Sequence, residues 1–321
     1  MVRSPFLGIV GQGTAIALLE RAILQDRIAP GYLFVGPAGV GRRLVALAFA
    51  TELLGGGNLP ALHRRIQQRN HPDFLWVEPT YLHQGRPVTV TEAETLGVRR
   101  KSPPQVRLEQ IRDVARFLSR PPLEATRAVV VIEGAETMAE SAANGLLKTL
   151  EEPGAATLIL LAPDLASLLP TLISRCQAIP FRRLGVADLT TVLQRQGHEA
   201  LLNQGEILAL AQGSPGQAIA AWEQLQGLPE DLLSAIAVLP TSLRQALELA
   251  RHIAKALDLE AQLWLVDYLQ YRHWHQQHNL QVIQALEQAR QHLRHFVQPR
   301  LVWEVTLMTL VDDLGRARSS G

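Results

Sequence analysis

Apolar residues in the first half of the chain fall in short, nearly unbroken runs separated by longer stretches of helical spacing. Tyr32-Leu33-Phe34-Val35, Phe74-Leu75-Trp76-Val77, Ala128-Val129-Val130-Val131-Ile132 and Thr157-Leu158-Ile159-Leu160-Leu161 are four such runs. A strand that alternates apolar and polar residues buries one face, whereas a strand that is apolar throughout is covered on both. The segments between these runs are too long for hairpins, and Leu44 to Leu54 reads as an apolar helix. The pattern predicts a parallel sheet joined by crossovers, with helices on both faces: a doubly wound α/β domain.

Between the second and third runs lies a polar stretch, Pro79 to Pro104, which reads as a surface loop or insertion. After Phe181 the strand signal stops. Residues 187–222 read as short helices punctuated by Gly213-Ser214-Pro215-Gly216, and Pro229 and Pro240 introduce a long helical region reaching Leu314. Within it Leu263, Val266, Tyr268 and Leu269 recur at helical spacing. The expected division is an α/β core over 1–182, a small helical lid over 183–228 and an all-helical domain over 229–321. There is no internal repeat and no low-complexity segment.

Composition narrows the classes. With 47% apolar and 19% charged residues among 321, the chain has material for packed cores. A net charge of +1 gives no global argument for nucleic acid, so any basic surface is local. Cys176 is the only cysteine, which excludes an internal disulfide and a Cys-rich zinc site and fits a reducing compartment. Met1 to Gly13 lacks a signal-peptide layout, and no apolar run approaches the ~20 residues of a membrane span. A cytoplasmic protein without a membrane partner is expected.

The candidate chemistry begins where the first strand meets its helix. Gly36-Pro37-Ala38-Gly39-Val40-Gly41-Arg42-Arg43 places Gly36, Gly39 and Gly41 where a phosphate-binding P-loop needs them, between a strand and a helix N-terminus. The motif ends in Lys-Ser/Thr, and here those places hold Arg42 and Arg43. Arg42 replaces a compact ammonium with a wide planar fork, and Arg43 removes the hydroxyl that would hold Mg²⁺. A Gly-rich turn that binds nothing and a residual ATP site both remain open. The third strand leads into Glu133-Gly134-Ala135-Glu136, where an active P-loop ATPase of this type carries Asp-Glu-Ala-Asp. Gly134 stands at the carboxylate that would orient the attacking water. Two catalytic elements fail together, as expected of a chain that does not hydrolyse ATP.

Longer blocks carry a resemblance. Ala142-Ala143-Asn144-Gly145-Leu146-Leu147-Lys148-Thr149-Leu150-Glu151-Glu152-Pro153 and Leu168-Leu169-Pro170-Thr171-Leu172-Ile173-Ser174-Arg175-Cys176-Gln177 resemble the signature and Ser-Arg-Cys motifs of bacterial clamp-loader subunits of the AAA+ type. Ile9-Val10-Gly11-Gln12, Tyr32 to Pro37 and His71-Pro72-Asp73 are similar to further boxes of that family, in the same order, over roughly residues 6–181. The resemblance implies an AAA+ P-loop core, a helical lid and a C-terminal collar that holds five subunits together. Motor subunits of the gamma/tau branch carry intact phosphate-loop and acidic motifs, four zinc cysteines and a sensor 2 arginine. Here no cysteine lies between Leu54 and His71, Ala162 replaces a polar sensor 1 residue, and Gln217 replaces the sensor 2 arginine. A degenerate receiving site with Ser174-Arg175-Cys176 kept resembles the delta-prime branch.

What that resemblance implies is a non-hydrolysing subunit of the DNA polymerase III holoenzyme. It would assemble with gamma/tau and delta and help load the sliding clamp on primed DNA. Arg175, beside Ser174, would act as an arginine finger on a neighbour's ATP. No zinc is expected. The rivals are a working gamma/tau-like ATPase and a stand-alone nucleotide- or DNA-binding module.

Other signals are weaker. His273, His275, His278, His292 and His295 lack the carboxylate or cysteine of a metal site and read as polar helix surface. Trp264, Tyr268 and Tyr271 read as a packed stripe. Arg64, Arg65, Arg69 and Arg99-Arg100-Lys101 suit phosphate contacts or plain solvent equally. Cys176 reads as a small buried residue, not a nucleophile.

Overall fold

A computed structural model describes residues 4–55, 60–96, 103–238, 240–277, 280–295 and 297–319. The four predicted runs are strands: β1 (Gly31–Val35), β2 (Phe74–Val77), β5 (Ala128–Ile132) and β6 (Ala156–Ala162). Three further strands were not anticipated: β3 (Thr80–His83), β4 (Arg86–Thr89) and β7 (Gln177–Pro180). The main sheet has the order β2-β5-β6-β1-β7, and every pair in it is parallel.

Parallel register carries like faces across the sheet. Leu33 pairs with Leu160, and Val130 with Leu158. These four and Ile132 face one side, in a cluster with Ile111, Val114, Leu146 and Leu172 of the helices Leu108–Leu118, Glu140–Glu151 and Pro170–Ile173. Tyr32 and Phe34 face the other side, where Tyr32 meets Phe49 of the helix Arg42–Gly55 edge-on, with ring centroids 5.0 Å apart. A sheet buried on both faces explains why these strands carry no polar alternation. It also sets the site: β1, β5 and β6 are adjacent, and their carboxyl ends lead into Gly36, Glu133 and Pro163, where open α/β sheets form their crevice.

Two expectations need correction. The stretch Pro79 to Pro104 is not simply a loop. β3 and β4 form an antiparallel hairpin followed by the helix Val90–Thr95, and Tyr81 is buried. Its two-residue turn, Gln84-Gly85, has φ of 50° and 78°, the twist that suits a tight hairpin. Arg99, Arg100 and Lys101 lie outside the described residues. His273, expected on a polar surface, is 5% exposed, and neither ring nitrogen has a hydrogen-bond partner among the described residues. Burial holds its pKa below the usual imidazole range, with nearby Arg272 adding to the effect. His275, His292 and His295 are exposed as expected, and His278 lies outside the described residues. No cluster among the described residues is arranged to hold a metal ion.

The chain divides into two compact units: 1–196 with 213–216, and 197–212 with 217–321. The residues 183–228 are thus shared between them. The second unit is helical, built mainly from Gly205–Ala211, Glu230–Ala237, Leu243–Ala256, Leu259–Gln277, Leu280–Arg294 and Pro299–Ser319. Leu265, Val266, Tyr268 and Leu269 are buried, and buried Trp303 donates its indole N–H to Gln262 Oε1 at 2.9 Å. Trp264 stacks on Tyr268 at 5.4 Å, and Tyr268 donates to Glu206 at 3.1 Å, so the aromatic stripe is packing. No helix among the described residues is long and apolar enough to cross a membrane.

One carboxylate holds the edge of the sheet. Asp73, buried just before β2, accepts the backbone N–H groups of Leu123, Glu124 and Ala125 at 2.7, 2.8 and 2.8 Å. Burial by itself would raise its pKa. The three N–H donors, helped by His71, outweigh burial and hold the carboxyl below the usual aspartate range. A depressed folded-state pKa stabilises the fold above the unfolded value of about 3.9, and that contribution is lost as pH falls through the folded value. Asp73→Ala is expected to cost about 2–3 kcal/mol at pH 7, since buried donors lose a charged acceptor. Urea melts at pH 7 and pH 3 check this: the deficit of the variant should shrink in acid.

Candidate functional site

The loop after β1 is shaped by contacts that leave no room for a Cβ. At Gly36, a Cβ would lie 2.4 Å from the carbonyl oxygen of Phe181. Gly216 approaches the loop so closely that its Cβ would lie 2.7 Å from the Cα of Gly39. Gly39 and Gly41 have φ of 75° and 106°, and the space beside Gly41 is open. Buried Gln12 donates to the carbonyls of Val40 at 3.0 Å and Arg182 at 2.7 Å. Ser214 donates to the carbonyl of Ala38 at 2.8 Å, and the N–H of Gly216 donates to Gly39 at 3.0 Å. These bonds, all within the chain, hold the loop in a phosphate-cradling shape.

A cavity of about 570 Å³ opens on this loop, within the ~300–1,000 Å³ typical of small-molecule sites. Gly39, Gly41 and Arg42 line it, with Arg43, Glu133 and Gly134. Among the described residues its lining includes neither Gly36, which sits behind the loop, nor Ser174 and Arg175. One terminal guanidinium nitrogen of Arg42, Nη1, is buried and has no hydrogen-bond partner among the described residues. Burial pulls the pKa of Arg42 down, with Glu136 and Glu133 opposing.

Arg43 reaches the acidic residue that follows β5. Its guanidinium lies 3.4 Å from Glu133 Oε2 and 5.0 Å from the centroid of the Trp76 ring. Trp76 donates its indole N–H to the same carboxylate oxygen at 3.3 Å, and Arg69 covers Trp76 at 5.6 Å while pairing with both oxygens of Glu78. A divalent metal ligated by Glu133 would sit against a fixed cation. The residues present do not fit Mg²⁺. Gly134 closes the second route: its φ is +63°, and a Cβ there would lie 2.6 Å from Pro79 Cγ. A carboxylate side chain at 134 is sterically barred as well as missing.

Arg175 lies elsewhere in the same unit. It donates from Nε and Nη2 to Glu151 Oε1, at 3.1 and 2.6 Å, and from Nη1 to the carbonyl of Thr171 at 3.1 Å and to Ser174 Oγ at 3.4 Å. Ser174 donates in turn to the carbonyl of Thr171 at 3.1 Å. Next to it Cys176 is half-buried, and burial pushes its thiol up to about 11, which leaves it unreactive. Arg65 pairs with Glu124 at 2.8 and 2.9 Å. Arg65 and Arg69 therefore contact carboxylates rather than only solvent, while Arg64 is exposed. Gln12, Trp76 and Ser214 were missed as site residues. Gln12 and Ser214 sit within motifs already singled out, but Trp76 read only as a strand residue.

Steady-state phosphate release from the isolated chain should be absent. The Arg42→Lys/Arg43→Thr double variant should restore none of it. Adding Gly134→Glu should lower the thermal midpoint instead, because a left-handed backbone alone costs roughly 1–2 kcal/mol for a residue with a Cβ. Phosphate release above background from either variant would contradict this geometry.

The family model described as "DNA polymerase III, delta subunit" matches residues 11–185, and one described as "Cyanobacterial DNA polymerase III delta prime, C-terminal domain" matches 187–310. DNA polymerase III subunit delta' of Pseudomonas aeruginosa is 35% identical over 199 residues, 58% of this chain and 54% of that one. Its counterpart in Bacillus subtilis is 33% identical over 180 residues, 54% of this chain and 48% of that one. The chain thus spans about half the length of these relatives. A DNA polymerase III gamma-subunit-related protein from Thermotoga maritima has a similar fold, with a TM-score of 0.53 and 18% identity, covering 92% of this chain and 98% of that one. With one model spanning 11–185, over half of its length, this chain belongs to the DNA polymerase III delta-subunit family, where its similarity runs to the delta-prime members.

Proposed function

We propose that this chain is a non-hydrolysing, delta-prime-like subunit of the DNA polymerase III clamp loader, working in the bacterial cytoplasm during DNA replication. The observation that carries this reading is the Arg43–Glu133 pair beside Gly134, which supports a P-loop site without catalytic magnesium or water-orienting carboxylate. Family membership supplies the setting: partners of the gamma/tau and delta kinds, a sliding clamp, and primed DNA reached through the complex. The core over 1–182, the lid over 183–228 and the collar over 229–321 are the organisation this role requires.

In that setting the active chemistry belongs to a neighbour. Arg175, together with Ser174, is our candidate for the finger. A guanidinium at a subunit edge can stabilise charge developing on a phosphoryl group held by the next subunit. Its present partner, Glu151, is exposed and offers a single carboxylate oxygen, so a more highly charged phosphate competes for the same fork.

Arg175→Ala in a reconstituted loader should leave assembly intact, as judged by gel filtration, and slow clamp- and DNA-stimulated ATP hydrolysis. A finger contributes on the order of 10³–10⁵ at the site it serves. The whole-complex loss should be smaller because more than one site turns over. Arg175→Lys should rescue poorly, since a point charge does not reproduce the fork. Undiminished turnover in a correctly assembled Arg175→Ala loader would remove Arg175 from the chemistry. A chain ending at Leu228 should fail to enter the complex, which co-purification with the other subunits measures.

A further inference from the structure

Arg175, the candidate finger, is engaged within its own chain. Its Nε and Nη2 both donate to Glu151 Oε1, and its Nη1 donates to the carbonyl of Thr171 and to Ser174 Oγ. A guanidinium grips a phosphate through two parallel N–H groups, taken from one edge of its plane or the other. Both edges are in use here. A phosphate on a neighbouring subunit must displace a contact before it can be gripped.

Both ends of this contact are anchored. Glu151 is the last residue of the helix Glu140–Glu151, and Leu150 before it is 3% exposed. Arg175 follows the helix Pro170–Ile173, in which Leu172 is buried. Gly31, at the start of β1, lies between them: a Cβ there would come 2.8 Å from Leu150 Cδ2 and 2.9 Å from Cys176 Sγ. Close packing thus fixes the spacing of Leu150 and Cys176, while the side chains of Arg175 and Glu151 are 36% and 52% exposed. The guanidinium can leave the carboxylate by side-chain rotation alone, with no movement of the backbone.

Helix stability does not account for a carboxylate at position 151. The last turn of a helix carries negative partial charge, which favours cations and disfavours carboxylates. Glu151 and Glu152 both stand at that end of their helix. The favourable interaction that Glu151 makes is the one with Arg175.

We propose that Glu151 is a latch on the finger: it holds Arg175 against its own chain until a polyphosphate in the neighbouring subunit's site draws the guanidinium away. Glu151 touches no reacting atom, so it is a positioning residue and its effect is regulatory. It presents a single oxygen to the fork, whereas a terminal phosphate carries more charge and can fill both prongs, so a well-placed phosphate wins. A poorly placed one does not. The latch suppresses turnover in loaders whose subunits are not closely seated, and it costs little once they are, because the finger is then fully drawn across. It presupposes that Arg175 is the finger proposed above.

Reconstituted loaders containing Glu151→Gln test the latch, since glutamine keeps the size and helix propensity of the side chain and removes its charge. Assembly, followed by gel filtration, should be unchanged. ATP hydrolysis without clamp and DNA should rise by about 2–5-fold, the range an exposed ion pair allows, and the stimulated rate should change by less. Adding Glu151→Gln to Arg175→Ala should bring no rise. The full chain alone gives a second readout: the Arg175 Nε–H resonance, assigned by its loss in Arg175→Ala, should shift and exchange faster with water in Glu151→Gln. If Arg175→Ala slows the loader but Glu151→Gln leaves the unstimulated rate level or lowers it, the finger stands and the latch is overturned. An unmoved Nε–H resonance, or an equal rise in the double variant, overturns the latch as well. If Arg175→Ala leaves turnover undiminished, it is the finger reading that fails, and the latch falls with it.

Discussion

A guanidinium fixed between a carboxylate and an indole sets the character of this molecule. Arg43 rests on Trp76 and against Glu133, so the charge at the heart of the phosphate loop comes from the chain itself. Trp76 binds the same carboxylate through its N–H, and Arg69 covers its ring in turn. Each contact is modest, about 0.5–1 kcal/mol for an exposed cation–π pair, and together they favour this position of the half-exposed Arg43 side chain. A metal at Glu133 would have to displace both contacts.

Loss of catalytic residues has not loosened the loop, because its shape depends on other contacts. Gly36 lies against the Phe181 backbone, Gly39 against Gly216, and Gln12 and Ser214 hold the carbonyls between them. These contacts involve backbone groups and missing Cβ atoms, not the residues that would perform phosphoryl transfer. Fold and chemistry are therefore separable here. The same holds at the opposite side of the cavity, where Gly134 fits its left-handed turn against Pro79 because it has no side chain to orient a water.

The four predicted strands were legible because nearly every residue in them is buried, which leaves continuous apolar runs even in β2 at the sheet edge. β7 was not legible: it is four residues long, lies at the sheet edge, and buries only Ile179. The hairpin of β3 and β4 was hidden by Pro87 within a strand and by Gln84 at a turn position where Asn or Asp gives the usual signal. Motif spacing placed Gly39, Gly41 and Arg42 in one cavity and identified Arg43 and Gly134 as departures. It could not show that Arg43 pairs with Glu133 or that Pro79 excludes a side chain at 134, since those pairs lie far apart in sequence. His273 was misjudged for a related reason. Its neighbours His275 and Trp274 are exposed, and only packing within the helical unit separates it from them.

The most direct test of a built-in cation is to ask whether a real one can take its place. Mn²⁺, which scatters anomalously and takes the oxygen ligands that suit Mg²⁺, can be soaked with ADP into crystals of the chain and located by anomalous diffraction. The expected map shows Arg43 on Glu133 and no anomalous peak within coordination distance of that carboxylate. A peak bound to Glu133, with Arg43 swung off Trp76, would contradict the claim that the guanidinium holds the metal's place.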